Sequence, residues 1–111
     1  MATALITGAS QGIGACIARR LAKDGYNIAI NHFPSDNDKA NAEKVAEECR
    51  AFGVEAELFA ANVASYADCE AMTKAVKERF GSIDALVNNA GITNDMLLMR
   101  MKEDDFTSVI N

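Results

Sequence analysis

The chain has 111 residues, the length of one domain and enough to bury a core. Half of the residues are hydrophobic and 24% are charged, with one proline and no tryptophan, a composition that argues against disorder. A net charge of −5 argues against a nucleic-acid surface, which needs clustered Lys and Arg, and the three cysteines form no CxxC pair, so Cys16, Cys49 and Cys69 read as reduced, partly buried thiols with no metal role.

Residues 2–6 form an apolar run too short for a signal peptide or membrane span, with no basic flank before it, so a cytoplasmic location is the default. The continuous Ala4-Leu5-Ile6 predicts a first strand covered on both faces. TGASQGIG, residues 7–14, follows and carries three glycines in eight residues. From Ile13 the apolar residues Ile13, Cys16, Ile17 and Leu21 recur at spacings of three and four, predicting a helix with that buried face and a stop at Asp24-Gly25.

Residues 26–30 read as a second strand, and His32-Phe33-Pro34-Ser35 as the loop after it. A second helix is predicted from about Asp38, burying Ala42, Val45, Ala46, Cys49 and Phe52 and capped by Gly53. Lys39, Glu43, Lys44 and Glu47 form its solvated face. Residues 54–62 predict a third strand. Ser65 with Asp68 resembles a capping box opening a third helix, which buries Cys69, Met72, Val76 and Phe80 and ends at Gly81. Residues 83–87 predict a fourth strand that runs into Asn88-Asn89-Ala90-Gly91, and the acids among residues 102–106 suit the start of another helix.

Alternating strands and helices with right-handed crossovers give an α/β Rossmann-type doubly wound parallel sheet, β1-α1-β2-α2-β3-α3-β4, with expected order 3-2-1-4. The whole of residues 1–111 is expected to be one domain. That order puts a switch point between strands one and four, at whose carboxyl ends ligands bind in open sheets of this class. The glycine loop and residues 88–91 both fall there. A sheet stopping after strand four leaves that strand as an apolar edge, which a second copy, the last helix or further chain would have to cover.

A glycine loop between a strand and a helix aims backbone N–H groups and the positive helix end at an anion, usually a phosphate or diphosphate. The spacing G-x3-G-x-G of Gly8, Gly12 and Gly14 matches neither GxGxxG nor the Walker loop, and glycines alone also permit a merely tight turn. Ile13 would hold the loop against the core and Gly14 would let the helix approach the sheet. Taken with Asn88-Asn89-Ala90-Gly91, however, Thr7-Gly8-Ala9-Ser10-Gln11-Gly12-Ile13-Gly14 resembles the short-chain dehydrogenase/reductase family, over the whole of residues 2–111. Residues 91–101, GITNDMLLMRM, are similar to the β-ketoacyl-(acyl carrier protein) reductase branch, with a Met/Leu-rich segment packing on the sheet as the plainer alternative.

The resemblance implies that Gly8, Ser10, Gln11, Gly12, Ile13 and Gly14 surround the phosphates and adenosine ribose of a dinucleotide. It implies that Asn62 and Val63 flank the adenine, and that Asn88, Asn89, Ala90 and Gly91 support strand four and the nicotinamide-side ribose. Asn62 stands where the family usually has Asp, but an amide oxygen also accepts from the adenine amino group. At the end of strand two, Asn31 and His32 replace the acid that would read the ribose hydroxyls of NAD(H), which favours NADP(H). The family's phosphate-binding Arg or Lys is missing as well, Gln11 standing where Arg is frequent, so NAD(H) stays open.

Hydride transfer in this family depends on a Ser and a Tyr-x-x-x-Lys pair, with an assisting Asn. Neither Tyr26 nor Tyr66 is followed by Lys four residues later, and Asn111 falls two positions short of the assisting Asn, so no catalytic residue is assigned. The resemblance therefore implies the coenzyme-binding first half of a ketone reductase, inactive alone, that forms homo-oligomers, with a 3-oxoacyl thioester on acyl carrier protein as substrate. A noncatalytic nucleotide-binding module and a self-associating remnant are the alternatives.

Overall fold

The computed structural model describes residues 2–89 and the backbone of residues 97–100. In chain order it contains β1 (Thr3–Ile6), α1 (Gly12–Lys23), β2 (Asn27–His32), α2 (Asp36–Arg50), β3 (Ala56–Ala60), α3 (Tyr66–Phe80), β4 (Ala85–Asn88) and β5 (Leu97–Arg100). The sheet order is β3-β2-β1-β4-β5. The first four strands pair in parallel in the expected order 3-2-1-4, with Leu5 beside Ala29 and Leu86 across the centre.

The pleat sends alternate residues to opposite faces, and the sequence uses both. Ala4, Ile6, Ile28, Ile30, Ala85 and Val87 join α1 and α2 in one core, whereas Leu5, Ala29 and Leu86 join Met72 and Val76 of α3 in another. Strands sealed on both sides must be apolar throughout, which is why no polar alternation marks them. The larger core is rich in alanine, including Ala15, Ala18 and Ala22 of α1 and Ala42 and Ala46 of α2, so both helices lie close to the sheet.

Four expectations need correction. First, α1 is rotated: its buried residues are Gly14, Ala15, Ala18 and Ala22, Ile17 and Leu21 of the expected face pack against the core only partly buried, and Ile13 is 62% exposed and Cys16 is exposed, so Ile13 does not hold the loop against the core. Close approach to the sheet selects the face with the smallest side chains over the most apolar one. Second, Phe52 lies in the turn that follows α2 and is exposed rather than buried. Third, β2 continues through Asn31 and His32, both buried, because β3 pairs with it along that length. Fourth, the sheet does not stop at β4: β5 pairs antiparallel with it, from Ala85 beside Arg100 to Asn88 beside Leu97. Backbone from residues 97–100 covers the edge expected to be bare, and β5 is the outer strand on that side among the described residues. The expected helix start at 102–106, and Asn111, lie outside the described residues.

Candidate functional site

The carboxyl ends of β1 and β4, neighbours in the sheet, deliver the glycine loop and Asn88-Asn89 to one place. Thr7 joins them. Its Oγ1 accepts from Asn89 N at 2.9 Å and lies within donating distance of Asn88 Oδ1 at 3.3 Å and of Val87 O at 3.4 Å, while Thr7 N donates to Val87 O at 3.0 Å. Asn89 Nδ2 in turn donates to Gly8 O at 3.2 Å. These bonds span about eighty residues of sequence and fix the loop on the end of β4.

Gly14, the third helical residue, faces the same place. A Cβ there would lie on the carbonyl oxygen of Gly8 and 2.8 Å from Asn89 Nδ2, so only glycine lets the first turn of α1 sit against the loop. Gly12 is required for another reason: its φ of +61° is left-handed, while the space around it is open.

The three helix N-termini differ in how their free amides are treated. Ser35 caps α2 and Ser65 caps α3, each accepting from the backbone N–H three residues on, Asp38 N and Asp68 N, at 3.2 Å. The Asp68 carboxylate does not complete a capping box on Ser65; it accepts from Asn62 N at 2.9 Å. At α1 the N-cap Gln11 makes no side-chain cap bond, and the first turn holds no acidic residue. Gly12, Ile13 and Gly14 therefore present N–H groups with no intrahelical acceptor at the positive end of the helix. Such an end is complementary to an anion.

The remaining predicted positions divide into those facing the loop's mouth and those committed to the protein itself. Gln11, Gly12 and Ile13 are exposed. Ser10 is buried and its Oγ donates to Asp38 Oδ1 at 2.5 Å, with Asp38 Oδ2 accepting from Phe33 N at 2.6 Å. Asp38 thus ties the glycine loop to the start of α2. Nothing in the spacing of Ser10 and Asp38 signalled this pair. Asn31 turns inward, its Oδ1 accepting from Gly8 N at 3.0 Å. His32 is buried too, with Nδ1 2.9 Å from Phe33 O. Asn62 and Val63 follow β3 and are partly buried; Asn62 Oδ1 accepts from Ala64 N at 3.0 Å, and Val63 O is 3.4 Å from Cys69 Sγ. A carbonyl oxygen with one donor keeps a second lone pair for another. Ala90, Gly91 and the rest of the 91–101 stretch up to β5 lie outside the described residues. Among the described residues no cluster of His, Cys, Asp and Glu is able to hold a metal ion, and no helix is long and apolar enough to cross a membrane.

The amides of α1, the glycine pressed against Gly8 and the bracing from β4 together form a cradle complementary to an anion. Comparisons with known proteins agree with that geometry. The family model for short chain dehydrogenase matches residues 2–111. A 3-oxoacyl-(acyl-carrier-protein) reductase FabG of Staphylococcus aureus is 53% identical over 109 residues, 98% of this chain and 43% of the relative. The chain thus spans about two fifths of the length of the curated relatives it matches. Among solved structures, a short-chain dehydrogenase/reductase from Burkholderia xenovorans superimposes with a TM-score of 0.79 at 39% identity, covering 84% of this chain and 37% of that one. A dehydrogenase from Burkholderia cenocepacia with bound NADP gives 0.75 at 38% identity, covering 78% and 33%.

Proposed function

The chain belongs to the short chain dehydrogenase family, and from that premise we propose that residues 1–111 are the coenzyme-binding unit of an NADP(H)-dependent oxidoreductase that reduces a ketone to an alcohol. The observation that carries this is the uncapped N-terminus of α1, held against the loop by Gly14 and faced by no acid in its first turn. Gly12, Ile13 and Gly14 would hold the diphosphate through backbone N–H groups, with Gly8, Ser10 and Gln11 completing the loop around the phosphates and adenosine ribose. Asn62 and Val63 would flank the adenine, and Asn88 and Asn89 would brace the nicotinamide-side ribose. When bound, the coenzyme supplies the hydride; this chain's part is to bind and orient it. No residue here is assigned to proton transfer, so the isolated chain is expected to bind coenzyme without reducing a ketone.

NADP(H) is favoured by Asn31 and His32, which put no acid at the end of β2, and by the NADP bound in the Burkholderia cenocepacia relative. The Asp38 carboxylate beside Ser10 favours NAD(H) instead, as a second reading. A 3-oxoacyl thioester on acyl carrier protein is the proposed substrate of the complete enzyme, supported by the name of the relative that is 53% identical. A cytoplasmic setting and association between copies accompany this reading. Titrating the chain with NADPH and NADH by calorimetry tests the proposal. Binding of neither to the folded chain would leave it a self-associating remnant.

A further inference from the structure

Asn31, near the end of β2, is 2% exposed and its side chain is spent on the protein. Its Oδ1 accepts from Gly8 N at 3.0 Å, and its Nδ2 donates to Phe59 O and Ala61 O, both at 3.2 Å, with His32 O at 3.4 Å. Its own carbonyl accepts from Ala9 N at 3.0 Å. One residue at the end of β2 therefore holds the first two positions after Thr7 and anchors them on the exit of β3.

We propose that Asn31 is a positioning residue for dinucleotide binding: it sets the glycine loop, and through it the diphosphate cradle, on the end of β3 without touching the ligand. The inference rests on the coenzyme-binding reading above. The chemistry requires an amide. Toward Gly8 the side chain must accept and toward two carbonyls it must donate, and only a neutral amide does both in this volume. An aspartate would set an oxygen 3.2 Å from the carbonyls of Phe59 and Ala61 and leave both without donors. An apolar residue would leave the Gly8 amide, at the base of the cradle, without its acceptor. Because a preformed site avoids reorganisation when ligand arrives, loosening this anchor is felt where the phosphates bind.

The test compares ADP with adenosine as probes, since they differ in the diphosphate alone. The native chain is expected to bind ADP more tightly than adenosine. In Asn31→Ala that preference is expected to fall by about tenfold, the worth of one charge-assisted hydrogen bond, with adenosine affinity little changed. A preference unchanged in a folded but less stable variant assigns Asn31 to stability alone and overturns the proposal. A native chain that binds neither NADPH nor ADP defeats the coenzyme-binding reading and the proposal with it. Hydrogen exchange on the native chain serves if the variant does not fold: Gly8 and Ala9 amides are expected to be protected without ligand, and those of Gly12, Ile13 and Gly14 only once ADP is added. Gly8 exchanging as fast as Gly12 would overturn the proposal.

Discussion

Gly14 and Gly8 are packed so tightly that a methyl group on Gly14 would overlap the carbonyl oxygen of Gly8. Gly14→Ala must push α1 away from the loop, at a cost of about 1–3 kcal/mol in stability. Coenzyme affinity is expected to drop with it, because the amides of the first turn move. Gly12→Ala meets open space and bears only the left-handed backbone penalty, about 1 kcal/mol. Denaturant unfolding of the two variants side by side checks the order, and a larger loss at Gly12 would contradict the packing argument.

Thr7 is the hinge pin between loop and β4. Thr7→Val removes the acceptor of Asn89 N while keeping the side chain's shape, at a cost of about 1–3 kcal/mol for an unsatisfied amide. Thr7→Ser keeps the hydroxyl and should recover most of that loss. A loss in Thr7→Ser larger than that in Thr7→Val would show that the methyl, rather than the hydrogen bond, matters at this position.

Asp38 sets a negative charge one hydrogen bond from Ser10. If the adenosine ribose lies over Ser10, Asp38→Asn removes repulsion of a 2′-phosphate and should raise NADPH affinity several-fold over NADH, by roughly 1 kcal/mol for a partly exposed charge pair. Calorimetry with both coenzymes reads the ratio. An unchanged ratio would separate Asp38 from coenzyme choice and leave it a brace for the β2–α2 loop.

The thiols are predicted to differ in reactivity. Cys49 is buried in the larger core, and burial first, then the neighbouring Glu48, pushes its thiol up to about 11 against the lowering effect of Arg19 and Arg50. Burial chiefly, with Asp68, raises Cys69 too. Cys16 is exposed. Alkylation near pH 8 followed by mass spectrometry should mark Cys16 first and spare Cys49 in the folded chain. The raised folded value also fixes a sign: the neutral Cys49 thiol contributes its full stability below pH 9, the ordinary thiol value, and loses it as pH climbs toward 11. Stability rising over that interval would contradict its buried placement.

Much of the architecture was legible because it rests on strong local signals. Continuous apolar runs such as Ala4-Leu5-Ile6 and Ala85-Leu86-Val87 mark strands sealed on both faces, and Ser65 marks a helix start by its hydroxyl. The close approach of Gly14 was also readable, since a glycine inside a helix is costly without such a reason. The buried face of α1 was not, because alanine carries little hydrophobic signal while Ile13 and Cys16 carry more, and packing distance decided for alanine. Asn31 reads as a polar residue closing a strand; that it turns inward depends on acceptors at Phe59 and Ala61, supplied from another strand. The Ser10–Asp38 bond likewise depends on a partner remote in sequence.

The central claim is that the first amides of α1 bind a diphosphate, and it is read most directly from backbone amide resonances of the isotopically labelled chain during titration with NADPH. The account predicts large shifts concentrated at Gly12, Ile13 and Gly14, saturating at one coenzyme per chain and strongly reduced in Gly14→Ala. Saturable binding that moves other amides and leaves these three in place would contradict it.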